Sequence, residues 1–237
     1  MKAIILNSGI GKRMGKLTQD KPKCLIELTN SETILQRQLR LLQKHSITNI
    51  IITTGPYKEQ IFNCVNEKFS NLNVEYIHNQ LYDKTNYIYS MNLIKRDLID
   101  EDILLLHGDL VFDEEVLEKL INSRNPNSVL VNKEISLPEK DFKGRIVEDR
   151  VKEISIDIFG SNCYLLMPLY KFDRDDFLLW IDRVGMYINR NVCNVYAEEA
   201  LNEILGEVIL GCTYYNNELC GEIDTIEDLN HVNNELK

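Results

Sequence analysis

The chain has 237 residues, 44% hydrophobic and 27% charged, with 5 Pro and 11 Gly, an ordinary globular composition that excludes a disordered or fibrous protein and suffices for one sizeable domain. A formal net charge of -10 disfavours a general nucleic-acid binder, whose phosphate contacts need an excess of Lys and Arg. The six cysteines, Cys24, Cys64, Cys163, Cys193, Cys212 and Cys220, contain no C-x-x-C pair, so neither a zinc site nor a disulfide framework is expected and a reducing, cytoplasmic setting fits best.

The first apolar run, Ala3-Ile4-Ile5-Leu6, gives way to polar Asn7 and Ser8; it is too short for a signal-peptide core and predicts a buried strand over 2-7. No later run approaches the roughly 20 apolar residues of a membrane span, so a soluble protein without membrane partners is expected. After the strand comes Asn7-Ser8-Gly9-Ile10-Gly11-Lys12-Arg13-Met14-Gly15. Its glycines let the backbone approach a ligand, its N–H groups can meet anionic oxygens, and Lys12 and Arg13 add counter-charge. The spacing is neither the Walker pattern nor G-x-G-x-x-G, so by itself the loop reads equally as a flexible turn with exposed basic residues. Lys23 follows in Lys21-Pro22-Lys23, where proline stiffens the approach to the second lysine.

Ser31 is expected to cap a helix whose apolar stripe is Ile34, Leu35, Leu39, Leu41 and Leu42. Strands are predicted at Asn49 to Thr54, Val74 to His78, Asp102 to His107 and Ser128 to Asn132, and their alternation with helical patterns means a parallel α/β sheet. Behind the third strand, Thr85-Asn86-Tyr87-Ile88-Tyr89-Ser90-Met91-Asn92-Leu93 opens a helix whose start can meet an anion. The apolar run Leu104-Leu105-Leu106-His107-Gly108-Asp109 ends in a carboxylate at the sheet's carboxyl edge. Its hard oxygens make Asp109 a Mg²⁺ ligand candidate, with a simple turn residue as the alternative. His107 reads as a hydrogen-bonded strand-end residue, and His45, His78 and His231 form no cluster. Asp113 precedes a helix with Glu114 and Glu115 in its first turn.

From Leu137 the texture changes. Arg145-Ile146-Val147, a turn at Glu148-Asp149 and Val151-Lys152-Glu153-Ile154 predict a hairpin, so 137-160 is read as an excursion from a single domain spanning 1-237. The excursion is expected to cover a cleft at the sheet's carboxyl edge, where open α/β sheets bind ligands. Helices follow at 174-183 and 197-205, a strand near 208-214 and a last helix from about Thr225, which Asp224 is placed to cap. Nothing in the sequence sets an oligomeric state.

The Gly-rich loop with its Arg, followed by Lys-Pro-Lys, resembles the nucleotidyltransferase superfamily that makes nucleotide sugars and CDP-linked small molecules. The resemblance implies a Rossmann-like, GT-A-like fold: a mixed, mostly parallel sheet with helices on both faces. It further implies that Leu6, Asn7, Ser8, Gly9, Gly11 and Lys12 line a nucleotide site, with Thr54, Gly55 and Tyr57 near the base. Arg13 would hold the triphosphate and Lys23 would neutralise charge as pyrophosphate leaves. Gly221-Glu222-Ile223-Asp224-Thr225 resembles the family's C-terminal acidic motif, so Asp224 would join Asp109 on Mg²⁺, with Glu222 ranked below it. The tract Asn86, Tyr87, Tyr89 and Ser90 looks like the Asn-Asn-Phe-Tyr-Ser type of segment in phosphocholine cytidylyltransferases, which implies CTP as donor.

Leu137 to Ile146 and Val195 to Asn202 look like cytidylyltransferases of phosphonate and capsular phosphoramidate pathways. This implies L-glutamine phosphate as the small phosphorylated acceptor and a CDP-linked product for capsule modification. Lys143, Arg145 and Glu198 would supply the cationic and anionic contacts such an acceptor needs, although all three also read as surface charge. Tyr87, Tyr89 and Tyr196 would equally enclose a quaternary ammonium. Phosphocholine, 2-aminoethylphosphonate and sugar 1-phosphates therefore stay open as acceptors, as does an inactive nucleotide sensor of the same fold.

Overall fold

An apolar run without polar alternation is stable only where both faces of its strand are covered. The structure, a computed structural model that describes residues 1-236, places β1 (Lys2–Asn7) inside a nine-stranded sheet. On one side β1 pairs in parallel with β2 (Asn49–Thr54), which pairs in parallel with β3 (Asn73–His78). On the other it pairs in parallel with β4 (Ile103–His107). The order continues through β9 (Cys163–Phe172), β6 (Ser128–Asn132), β10 (Gly211–Tyr214), β8 (Arg150–Ser155) and β7 (Lys143–Val147). β9 and β8 run against the rest, so the sheet is mixed with most strands pointing one way.

Alternate residues of β1 face opposite cores. Ala3 and Ile5 pack with residues of α1 (Ile34–Lys44), α2 (Lys58–Lys68) and α4 (Glu114–Ile121). Ile4 and Leu6 pack with α3 (Tyr87–Asn92), α5 (Arg174–Asn189) and α6 (Ala197–Asn202). A separate ribbon of β5 (Leu110–Phe112) and β11 (Cys220–Glu222) leads into α7 (Ile226–Glu235). It belongs to a third, smaller core of Met14, Ile26, Leu28, Ile34, Val111, Ile223, Leu229 and Val232. No helix among the described residues is long and apolar enough to cross a membrane.

One local expectation needs correction, and one strand went unpredicted. α1 is capped by Thr33, not Ser31: Thr33 Oγ1 accepts from Gln36 N at 3.2 Å while Gln36 Oε1 accepts from Thr33 N at 3.1 Å. Ser31 sits in a tight turn at φ 63°, and the chain becomes extended only at Thr33, where a cap must stand. β9 was not legible because Pro168 interrupts it; its register with β6 shifts between Val129 and Leu130, opposite that proline. The β7–β8 hairpin turns at Glu148 and Asp149 as expected, with φ 51° and 56°, the left-handed pair of a two-residue hairpin turn. It is the sheet's far edge, pairing with β10 and β9.

Candidate active site

β1 and β4 end side by side, with Leu6 opposite His107 and Gly108 N donating to Leu6 O at 3.1 Å. Beyond β1 the chain turns through Gly11 at φ 70° into a 3₁₀ segment over Lys12–Thr18, and Thr18 Oγ1 closes the turn on Gly11 O at 2.9 Å. A Cβ at Gly11 would lie 3.1 Å from Lys23 Cβ, so the glycine lets the loop fold onto Lys23. Pro22, at φ -69°, delivers Lys23 into its own short 3₁₀ turn.

Lys23 is the centre of the site. Its Nζ donates to Asp109 Oδ2 at 2.6 Å and to Asp224 Oδ1 at 2.8 Å, while Arg13 Nη2 reaches the same Asp224 oxygen at 2.7 Å. Asp109 comes from the end of β4. Asp224 arrives from the other end of the chain because β11 pairs with β5, Glu222 opposite Leu110, and Ile223 N donates to Asp109 O at 3.0 Å. Asp224 does not cap α7; Thr225 does, in a capping box with Asp228. Burial lowers the pKa of Lys23, but the two carboxylates outweigh it and the ammonium is held above its ordinary value. Burial raises that of Asp109, but Lys23 and His107 bring it below the ordinary carboxylate range.

His107 Nδ1 lies 3.0 Å from Glu222 Oε1. Burial opposes the charge on His107, and Glu222 overcomes it to hold the imidazole pKa above its ordinary value; burial, together with Asp109, raises that of Glu222. The ring of Tyr87 meets His107 edge-on at 4.7 Å. Behind it the buried Glu198 accepts from Tyr87 OH and, at 2.9 Å, from Tyr170 OH.

Buried polar atoms almost always find partners, so a group of them left without one marks where a ligand belongs. Among the described residues eight buried side-chain atoms lack a hydrogen-bond partner; Gln38 Oε1, His45 Nε2, Tyr76 OH and Tyr215 OH lie elsewhere, while Asn7 Nδ2, Ser8 Oγ, His107 Nε2 and Asp109 Oδ1 gather at the ends of β1 and β4. Three adjoining cavities open there, and Asp109 lines each of them. One of about 530 Å³ has Leu6, Ser8, Gly9, Asn79, Tyr82, Asn86, Tyr87, Ser90 and Asn194 in its walls. One of about 310 Å³ lies among Asn7, Gly9, Gly11, Lys12, Arg13, Lys23 and Asp224. The third, of about 450 Å³, runs between Arg13, Asn86, Tyr87, His107 and Asp224 and the outer wall of Glu139, Lys140, Phe142, Ile156 and Tyr196.

The structure thus brings together Leu6, Asn7, Ser8, Gly9, Gly11, Lys12, Arg13, Lys23, Asn86, Tyr87, Ser90, Asp109 and Asp224. Others stand apart. Lys21 faces a groove by α2, Thr54 is buried against His78, and Tyr57 OH donates to Gln19 O at 2.6 Å. Gly55 acts only from behind: a Cβ there would lie 2.1 Å from Ser8 O. Tyr89 lines none of the three cavities. Lys143 is buried and donates to the carbonyls of Pro138, Glu139 and Asp141. Arg145 Nε pairs with Glu153 across the hairpin at 2.9 Å, and Glu198 is enclosed by its tyrosines. These three do not reach the cleft. Asn79, Tyr82, Asn194, Glu139, Lys140 and Phe142 were not named as site residues; the usable signals were Asn79's place just past β3 at the carboxyl edge and, for the last three, their place in the 137-160 excursion expected over the cleft.

The acidic residues fit a hard divalent cation. Asp109 and Asp224 already converge on one positive centre, and Asp109 Oδ1 is a buried acceptor without a partner. A ligand atom from each of His107, Asp109 and Glu222 also lies within 4.8 Å of the others, so Glu222 stands nearer Asp109 than its sequence rank implied.

Residues 3–139 match the sequence profile of the MobA-like NTP transferase domain. The chain is 25% identical to CTP:phosphoglutamine cytidylyltransferase of Campylobacter jejuni over 252 residues, covering 94% of this chain and 93% of that one. It is 35% identical to choline-phosphate cytidylyltransferase of Streptococcus pneumoniae over 104 residues, 44% of this chain and 43% of that one. Among solved structures, CTP:phosphocholine cytidylyltransferase from Streptococcus pneumoniae superposes with a TM-score of 0.81 at 20% identity, over 100% of this chain and 99% of that one. That is a likeness of fold.

Proposed function

The chain belongs to the MobA-like NTP transferase family and is a nucleotidyltransferase, and on that premise we propose that it transfers CMP from CTP to a small phosphorylated acceptor, L-glutamine phosphate. The products are a CDP-linked compound, destined for capsule polysaccharide modification, and pyrophosphate. The observation that carries this reading is the convergence of Arg13, Lys23, Asp109 and Asp224, distant in sequence and joined by three contacts of 2.6 to 2.8 Å: Lys23 to both aspartates and Arg13 to Asp224. The Campylobacter relative, matched over nearly its whole length, supports the donor and acceptor.

In this reading the cavity with Ser8, Asn79 and Asn194 takes the cytidine, the one with Lys12, Arg13 and Lys23 takes the triphosphate, and the third takes the acceptor. An oxygen of the acceptor's phosphate attacks the α-phosphorus of CTP in line. The bond from that phosphorus to the bridging oxygen of the β-phosphate breaks, and pyrophosphate leaves with the electron pair. The attacking oxygen is ionised at neutral pH, so His107 is not needed as a base. Asp109 and Asp224 would hold Mg²⁺, which when bound screens the charge of the triphosphate. Arg13 and Lys23 stabilise the charge that grows on the departing pyrophosphate, and they act by fixed placement.

A pyrophosphate-release assay over the four nucleoside triphosphates tests the donor, with CTP expected to be preferred. Preference for ATP, GTP or UTP removes the cytosine assignment and leaves a nucleotidyltransferase; nucleotide binding without pyrophosphate release from any acceptor supports the sensor. Phosphocholine is the second reading for the acceptor. It is supported by the row of Phe142, Tyr196 and Tyr87, whose ring centroids follow at 5.0 and 6.0 Å and could face a quaternary ammonium.

A further inference from the structure

Pairing off the charged groups around the third cavity leaves two over. Arg13 is matched by Asp224, Lys23 by Asp109 and Asp224, and His107 by Glu222. Glu139 and Lys140 form no ion pair and no side-chain hydrogen bond among the described residues, yet both line this cavity. They are adjacent in the chain and opposite in sign.

They are also firmly mounted. Beside them Lys143 is buried, and its ammonium donates to the carbonyls of Pro138, Glu139 and Asp141, a clamp that holds the turn bearing Glu139 and Lys140 in one shape. Phe142 anchors the far side of that turn by packing edge-on against Tyr196. A buried lysine spent on backbone carbonyls makes sense where the loop it holds must keep a fixed form.

We propose that Glu139 and Lys140 read the end of the acceptor remote from its phosphate, and that this end is a zwitterion, with an ammonium facing Glu139 and a carboxylate facing Lys140. The inference rests on the nucleotidyltransferase reading above and narrows the acceptor to a phosphorylated amino acid. Phosphocholine offers no carboxylate for Lys140, and a sugar 1-phosphate offers neither charge. Lys143 is a positioning residue for the pair.

The test uses CTP at saturation and three acceptors: L-glutamine phosphate, its analogue without the α-carboxylate and its analogue without the α-amine. Wild-type protein is compared with Lys140→Ala and Glu139→Ala, both exposed positions whose truncation leaves the core intact. Wild type is expected to prefer the full acceptor to either analogue by about tenfold in kcat/KM, the usual scale of one charge-assisted hydrogen bond. Lys140→Ala should lose only the preference for the carboxylate and Glu139→Ala only that for the amine, through KM with kcat unchanged. Equal use of the three acceptors by wild type, or uniform losses on all three in both variants, would overturn the zwitterion assignment while transfer from CTP continued. Absence of pyrophosphate release with every acceptor and nucleotide is a different result, and it strikes the underlying reading instead.

Discussion

In the proposed mechanism Lys23 would hold two positions that cannot be filled at once. Its ammonium lies between Asp109 and Asp224, where a divalent cation would bind, so cation and lysine compete for the same oxygens. Lys23→Met should therefore tighten Mn²⁺ binding by nucleotide-free protein, read by electron paramagnetic resonance; unchanged or weaker binding would show that the carboxylates do not serve both. The same variant should lose roughly 10²- to 10³-fold in turnover, the scale for removing one fixed stabiliser of developing charge, with its circular dichroism unchanged. Asp109→Ala should abolish the recovery of activity when Mg²⁺ is returned to chelator-treated protein, because it removes the one carboxylate that lines all three cavities. That Arg13, Lys23, Asp109 and Asp224 would come together was legible in the sequence, because each sits in a motif whose neighbours constrain it. Lys143, Arg145 and Glu198 were not: a charged residue in a sequence does not announce its partner, and these found carbonyls, Glu153 and two tyrosines.

At the scale of elements, strands with apolar residues on both faces were legible to the residue, as β2 and β6 show. Polar residues stand at the ends of each run, Asn49 and Thr54 for β2 and Ser128 and Asn132 for β6, and mark its bounds. The route by which loops touch was not legible, because it depends on atoms distant in sequence. Gly55 illustrates this. Nothing in Thr54-Gly55-Pro56 reveals that Ser8 O would lie 2.1 Å from a Cβ at Gly55, and the obstacle is backbone, which cannot rotate aside. Gly55→Ala should destabilise the protein by about 1 to 3 kcal/mol, as overpacking does, and raise the KM for CTP by displacing Ser8. Gly9→Ala is the comparison, since a Cβ there meets nothing within 4 Å; its urea midpoint should match wild type. Equal midpoints for the two variants would mean that the Ser8 loop yields freely.

The whole molecule solves a problem of assembly: the site needs a loop near residue 13 and a carboxylate at 224 to meet. Two large cores hold the helices to the sheet and would persist without that meeting. The third core performs it, since Met14, one residue past Arg13, packs with Ile26 and Leu28 beyond Lys23 and with Val111, Ile223, Leu229 and Val232 around Asp224. Met14 is fully buried, so Met14→Ala should cost about 2 to 5 kcal/mol, the range for truncating a buried Met. The loss should be accompanied by a rise in the KM for CTP and a fall in kcat, because Arg13 and Asp224 no longer share a rigid mount. Val65→Ala, in the core between α2 and the sheet, supplies the comparison: it lowers stability without touching the loop. Both variants are to be assayed well below their urea midpoints, where each is folded. A KM that rises for Met14→Ala and stays level for Val65→Ala ties the small core to the site. Parallel changes in both would mean that activity follows global stability and that the third core has no separate task.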